Sequence, residues 1–412
     1  MVPKVVIGLG FGDEGKGMAV AHETERALSD GLLPVSVRFN GGPQAGHNVR
    51  ARIDGSVHYH MHSQFGSGAM LGAKTVHTRG MLFSPVVLAE EANRLSRASD
   101  IDVMRTLTVD ERCPVVLPMH VRANREIERS RGDGRHGSTG QGVGIARACE
   151  HESLANNDDT CVTVATLRRP TALEALMRFW RDWIERTYCV DLHMSDEYVR
   201  DESRWLCDGM RTLVGYGMRV TEDATQMVRD MMDDGIHHVT FEGSQGMLLD
   251  ERYGWFPHVT YGDMTARQAY EVAGGRSLAV LGVTRTYQTR HGAGPLPTEG
   301  TFDSPEPDNG ATEFTGAFRC GLLDLPTLGR SASSAGVDEV AVSHVDDMPA
   351  RMVACWGASA HIRGIGRRVP SEPAFIPIVS EADAINAIQN ATMAPVTVVG
   401  RGNVTDQWHD VR

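Results

Sequence analysis

The chain has 412 residues, 41% of them apolar and 6% aromatic, with 44 glycines and a formal charge of −12. That length can bury a large core and the composition is that of an α/β protein rich in turns, whereas the acidic balance argues against a sequence-independent grip on duplex DNA or an anionic membrane. With no run of about 18 apolar residues and no leader-like N-terminus, the expectation is a cytoplasmic protein with neither nucleic-acid nor membrane partner.

The first element is a short apolar run at residues 5–7, followed by residues 8–17, G-L-G-F-G-D-E-G-K-G. A glycine turn between a strand and a helix presents backbone N–H groups, at the positive end of the helix dipole, to phosphate. Gly10, Gly15 and Lys16 match the spacing G-x-x-x-x-G-K, but Gly17 stands where a Ser or Thr would bind magnesium, which makes Asp13 the nearest substitute ligand. A plain connecting turn would account for the glycines. It would not account for Asp13, Glu14 and Lys16 among them.

A second strand-like run at 35–39 leads into N-G-G-P-Q-A-G-H at 40–47. His58, His60 and His62 then alternate, sharing one strand face at about 6.6 Å per pair, a spacing too wide for a tight metal site without other ligands. A third glycine turn, G-S-T-G-Q-G-V-G at 137–144, offers the hydroxyls of Ser138 and Thr139 to a monophosphate. Leu173, Leu176, Met177, Trp180 and Ile184 recur at helical spacing as core packing, and 224–233 reads as a second helix stopped by Gly235. Between them Asp196, Glu197, Asp201 and Glu202 read as a solvated face.

Further apolar runs end in glycine at 239–241, 278–281 and 396–399, as buried parallel strands do, and ligands collect at the carboxyl ends of such strands. After the first of them Gln245 lies in a turn. The segment 289–299, T-R-H-G-A-G-P-L-P-T-E, is rigid and turn-rich, and 313–321, E-F-T-G-A-F-R-C-G, reads as a mobile loop with one cation, Arg319. Seven scattered cysteines without a C-x-x-C pair read as reduced core thiols.

Together, in this order, these motifs resemble the adenylosuccinate synthetase family, from Val5 to about residue 404 and least over 150–235. The resemblance implies a mainly parallel α/β sheet with flanking helices and a phosphate-loop-related fold, as one domain over 1–412 with a helical subdomain over 150–235. It also implies a homodimer and a magnesium-dependent ligase that phosphorylates the 6-oxygen of a purine monophosphate with GTP and then displaces phosphate with the amine of L-aspartate. Asp13 would take the proton from purine N1, Lys16 would stabilise the transferred phosphoryl group, and Asp13 with the Gly42 carbonyl would hold Mg2+.

The purine monophosphate would meet Asp13, Glu14, Gly15 and Lys16, then Asn40, Gly41 and Gly42. Its phosphate would meet Ser138, Thr139, Gln245 and Thr260, with Arg147 as the arginine reaching across the dimer. Thr315, Gly316 and Arg319 would receive aspartate. The triphosphate would lie on Gly12, Gly15, Lys16, Gly17 and Gly42, with Arg319, His344, Asp346, Gly400 and Gly402 at its far end. Asp346 suits guanine N1 and its 2-amino group, which favours GTP, with ATP or dATP as alternatives because a lysine of the family is replaced by His344.

The departures bear on substrate. Pro43 replaces the family's general-acid histidine and cannot donate a proton. The arginine-rich loop is shortened to T-G-A-F-R-C-G, losing an arginine that touches the ribose 2′-hydroxyl, and Gln141 replaces another. These changes resemble a bacteriophage branch that joins dGMP to aspartate for diaminopurine DNA, although Asp13, often replaced there, is retained. IMP as substrate, and an inactive nucleotide-binding regulator, remain the competing expectations.

Overall fold

The computed structural model describes residues 1–99, 101–300, 309–310, 313–355 and 373–411. In chain order the strands are β1 (Lys4–Gly8), β2 (Leu33–Arg38), β3 (His47–Ile53), β4 (Ser56–His62), β5 (Lys74–His77), β6 (Leu107–Asp110), β7 (Arg219–Thr221), β8 (His237–Gly246), β9 (Ala279–Arg285), β10 (Tyr287–His291), β11 (Phe318–Leu322), β12 (Glu339–Ser343), β13 (Arg351–Cys355), β14 (Ala374–Pro377), β15 (Val396–Gly400) and β16 (Trp408–Asp410). The helices are α1 (Lys16–Ser29), α2 (Pro85–Ala98), α3 (Pro118–Ser130), α4 (Val143–Asn156), α5 (Pro170–Tyr188), α6 (Asp196–Gly215), α7 (Ala224–Asp233), α8 (Arg267–Ala273), α9 (Leu325–Ala335) and α10 (Glu381–Thr392).

Ten strands form one sheet in the order β16-β15-β12-β9-β1-β8-β2-β5-β6-β7, parallel throughout except for the β15–β16 pair. Val5, Val6 and Ile7 of β1 are wholly buried, as are Val239 and Phe241 of β8 and Val280 and Leu281 of β9. Helices cover both faces, so these strands have no polar side to show, which is why they read as unbroken apolar runs. The parallel arrangement turns the ends of β1, β2, β8, β9, β12 and β15 to one edge.

Leu173, Met177, Trp180 and Ile184 of α5 lie in the same buried cluster as Val6 of β1 and Val109 of β6, so the 150–235 region shares the core of the sheet and adds its edge strand, β7. Two expectations need correction. Asp196 is not merely solvated, since it takes Arg178 and Arg181 of α5 at 2.5 and 2.8 Å and so joins α5 to α6. Of the seven cysteines only Cys113, Cys149 and Cys207 are buried.

β1 and α1 are fastened by charge as well as by apolar packing. Glu23 of α1 is fully buried and accepts Lys4 Nζ and Arg26 Nη1, each at 2.9 Å, while Lys4 also meets Glu339 of β12 at 2.8 Å. Burial works to raise the Glu23 pKa, but His238, Lys4 and Arg26 outweigh it and hold the group at about 2, against an ordinary 4.5. A carboxylate depressed on folding stabilises above its unfolded value and stops doing so as pH falls through the folded one, here a window from about 4.5 down to 2. Glu23→Gln should therefore lower unfolding free energy by roughly 3 kcal/mol at neutral pH, and urea titrations should show the gap between variant and wild type closing below pH 4.

Candidate active site

Residues 8–17 leave the carboxyl end of β1 and close on α1. Glu14 does not face outward: its side chain folds into the turn, where Oε1 accepts the N–H groups of Gly10 and Gly12 at 2.9 and 2.8 Å and Oε2 takes Lys16 Nζ at 2.7 Å. Glu14 and Lys16 are both buried. The expectation that the turn's N–H groups are free for phosphate is thus corrected for Gly10 and Gly12, which already serve an internal anion. A β-carbon at Gly8 would lie 2.2 Å from Glu14 Oε2, so the carboxylate needs glycine there.

Gly17 has a steric reason as well. A β-carbon at this position would lie 2.9 Å from His47 Cβ, 3.2 Å from the Asn48 carbonyl and 3.2 Å from Ser67 Oγ. His47, Asn48 and Ser67 thus crowd the position at which other phosphate loops carry Ser or Thr.

Asp13 is half-exposed at a left-handed turn position, φ 60°. Its carbonyl accepts Arg285 Nε at 2.5 Å and its Oδ2 lies 3.2 Å from His291 Nε2. Burial pushes its pKa up, but the His291 hydrogen bond and the charges of His291, Arg285 and Lys16 prevail, leaving it below the usual value and ionised at neutral pH. The reverse holds for His291: burial lowers its pKa, and Asp13 more than restores it. Sequence patterns missed His291, which fills the variable position of T-R-x-G-A-G-P and becomes visible only when β10 reaches the phosphate loop.

The other loops gather at the same edge. Glu242 of β8 is fully buried and accepts His47 Nδ1 at 2.5 Å and Ser67 N and Oγ at 2.8 and 2.5 Å, beside Arg38 at 3.8 Å. Burial opposes its ionisation, but Arg38, His47 and Ser67 hold its pKa at about 2. Asn40 donates to the Asp263 carbonyl at 3.0 Å and accepts Ser244 N at 3.0 Å, Gly41 packs on Ser244, and Gln245 lies beside Gly12. Pro43 is buried, its carbonyl accepting Ser63 Oγ at 2.8 Å. The Gly42 carbonyl accepts Ala45 N at 3.3 Å.

Arg147 is bound within its own chain, to Glu150 at 2.5 Å, the Gly41 carbonyl at 3.5 Å and the Gly80 carbonyl. It is buried, and these bonds hold it against its own chain. With Asn40 and Gly41 it lines a cavity of about 480 Å³ that also meets Glu150, Asp263 and Arg267. Ser138 is bonded to Asn124 Nδ2 at 2.9 Å, Thr139 is exposed and Thr260 is half-buried. Gly137 packs on Gly292 and Ala293, and Gly140 on Phe314, bringing the third loop to the 289–299 segment and the arginine loop.

The arginine loop differs from its expected form. Residues 318–322 form β11, paired with β10 so that Arg319 opposes Arg290, and Arg319 gives Nη1 to Glu299 and Nη2 to the Gly292 and Gly294 carbonyls, all at 2.7 Å. Thr315 and Gly316 form the turn against Gly292. At the other side of α1, Gly15 lies on Ser343 and Trp408, and Gly400 on Trp408, so the ends of β12 and β15 meet the phosphate loop. His344 turns its Nδ1 to Ser343 Oγ at 2.9 Å, and burial with Arg285 nearby keeps its pKa well below the usual range. Asp346 is exposed, and Gly402 sits beside Gln407.

An open parallel sheet with glycine turns gathered over its carboxyl edge, around a phosphate-type loop and an ionised aspartate, is the site of an α/β protein with phosphate-loop chemistry. The family model for adenylosuccinate synthetase matches residues 5–353. The adenylosuccinate synthetase of Nitrosospira multiformis is 32% identical over 362 residues, covering 84% of this chain and 76% of its own, and that of Chromohalobacter salexigens is 31% identical over 353 residues, covering 83% and 76%. The chain belongs to the adenylosuccinate synthetase family, whose members are C–N ligases. Among solved structures, fully ligated adenylosuccinate synthetase from Plasmodium falciparum matches with TM-score 0.79 at 18% identity, covering both chains entirely. Cyanophage S-2L succinoaminodeoxyadenylate synthetase, bound to dGMP and to dATP as an energy donor, matches with TM-score 0.63 at 20% identity over 100% of this chain and 96% of its own.

Restoring the hydroxyl of an ordinary phosphate loop should damage this one. Gly17→Ser is expected to displace His47 and lower unfolding free energy by about 1–3 kcal/mol, read as a lower thermal midpoint, and to reduce rather than raise nucleotide affinity in a calorimetric titration.

Proposed function

We propose that this chain condenses dGMP with L-aspartate at the expense of GTP, forming 2-amino-2′-deoxy-N6-succinyladenylate through a 6-phosphoryl purine. The observation that carries the sugar preference is Arg319. As the one arginine of its loop it commits both terminal nitrogens to Glu299 and two backbone carbonyls and keeps only its buried Nε unpaired, which leaves that loop without a guanidinium end to meet a ribose 2′-hydroxyl. A deoxyribose leaves no polar group unpaired there, and that difference is what discriminates substrates most strongly. The fold similarity to a phage enzyme solved with dGMP points the same way.

In this scheme ionised Asp13, oriented by His291, accepts the N1 proton of the purine so that the 6-oxygen attacks the γ-phosphorus of the triphosphate while its bond to the β-phosphate oxygen breaks. The aspartate amine then displaces phosphate from C6. Lys16 turns from Glu14 toward the transferred group, and Glu14 keeps the Gly10 and Gly12 N–H groups in position. Pro43 offers no proton, so Lys16 and Arg285 are the cations left beside Asp13, with His291, whose pKa Asp13 raises, as the proton-bearing group of the site. The Asp13 carboxylate and the Gly42 carbonyl, which retains a lone pair beyond its bond from Ala45, are hard oxygen donors that fit magnesium. When bound, that ion would neutralise charge on the phosphates. GTP is the proposed donor because Asp346 can pair guanine, with dATP or ATP competing through the altered His344. A homodimer in the cytoplasm is proposed with it.

A second assignment, IMP as substrate, is favoured by retained Asp13 and by relatives named adenylosuccinate synthetase at 31–32% identity. Purified protein with GTP, Mg2+ and aspartate should turn over dGMP with kcat/KM at least about tenfold above that for IMP. Efficient IMP turnover with inert dGMP rejects the proposal, and binding without phosphate release under either pair identifies a regulator. Asp13→Ala should lower kcat by roughly 10²–10⁴-fold on whichever substrate is used.

A further inference from the structure

The hairpin β3–β4 lies over the second glycine loop, with His62 opposite His47 and His60 opposite Val49 in its register. The sequence spacing of these histidines makes no tight site alone, but the fold adds what the strand lacks. Glu91 of α2 reaches the same point, and one ligand atom from each of His60, His62 and Glu91 lies within 4.8 Å of the others. The two imidazole rings are 4.7 Å apart between centroids at 74°. All three residues are buried, at 4%, 0% and 0% exposure.

Three buried nitrogens in this group, Nε2 of His60 and both ring nitrogens of His62, have no hydrogen-bond partner. Unpaired buried polar atoms are rare and each needs a cause. A neutral imidazole keeps a lone pair on one ring nitrogen, free for a metal where no donor meets it. Glu91 is fixed rather than free: Oε1 accepts Ser63 N and Phe65 N at 2.9 and 3.2 Å, and Oε2 accepts Gln64 N at 2.5 Å. Oε1, which lies 3.8 Å from His60 Nε2, is taken by two N–H groups, while one lone pair remains on Oε2, and the backbone bonds orient the carboxylate as outer-shell donors do around a metal ligand. The neighbouring charges, Glu91 and Glu242 against Arg38, sum to one negative. Two imidazoles and one carboxylate form a set that zinc takes.

We propose that His60, His62 and Glu91 bind one divalent cation of the zinc type, which fastens β4 to α2 and keeps its fourth position for water. Ligand separations near 3.4 Å follow from metal–nitrogen bonds of about 2.1 Å, so the three side chains need to close by roughly 1 Å. The ion would brace the second loop, because Ser63, adjacent to His62, holds the Pro43 carbonyl. It is separate from the proposed magnesium site at Asp13 and Gly42, whose oxygen donors suit a different ion. Its existence is independent of which purine is the substrate.

The test uses full-length protein without a histidine tag, stripped with chelator and titrated with Zn2+ or Co2+ in excess Mg2+. One equivalent of Zn2+ should remain after gel filtration, raise the thermal midpoint, and give with Co2+ the visible absorption of a nitrogen-ligated ion. His62→Ala should weaken binding by at least about tenfold, whereas His58→Ala, one step along the same strand face, should not. If His62→Ala fails to fold, His60→Gln carries the same expectation. Wild-type protein that retains no Zn2+, or a Co2+ spectrum unchanged in the His60 and His62 variants, overturns the proposal.

Discussion

The buried carboxylate of Glu242 is the constraint on which the arrangement of the site depends. A charge at the centre of a sheet is tolerable only where donors or opposite charge surround it, and these come from three separate pieces of chain: the charge of Arg38 in β2, and the hydrogen bonds of His47 at the end of the second glycine loop and of Ser67 beyond β4. Satisfying that one group therefore draws the second loop down onto β8, next to Ser244 and Gln245. Once His47 is there, the second residue of α1 has no room for a side chain, and Gly17 follows.

Glu14 plays a related part on a smaller scale. Its carboxylate sits on the N–H groups of Gly10 and Gly12 and on the Lys16 ammonium, the same donors that a phosphate group takes in such loops. The loop is thereby held in shape by its own anion. A negatively charged ligand entering this turn competes with Glu14 for Lys16, so binding and local rearrangement are coupled by charge.

On the opposite side of Asp13, cations are used sparingly. Arg290 holds the Ala293, Pro295 and His258 carbonyls and lies 4.5 Å over Phe11, and burial with Arg319 nearby lowers its pKa to about 10. Arg319 holds Glu299 and two more carbonyls. Both arginines of the β10–β11 hairpin thus serve backbone geometry, and His291 is the group of that hairpin directed at the phosphate loop. A site with fewer free cations discriminates more by which polar groups it leaves unpaired than by the strength of its grip on charge.

Much of the architecture was legible in the chain. The apolar runs at 5–7, 239–241, 278–281 and 396–399 identify parallel strands because a strand covered on both faces has no polar side to alternate with. The glycine turns that follow them, in their order, specify the family. Pairings between distant segments were not legible, because they are set by where strands lie in the sheet rather than by spacing along the chain. Glu14 turning inward, Arg319 folding back on Glu299, His291 meeting Asp13, and His60 and His62 meeting Glu91 each depend on two elements brought together by packing. Local periodicity carries the first kind of information at short range. The second requires the full set of parallel crossovers, since only a completed sheet decides which buried charge finds which partner.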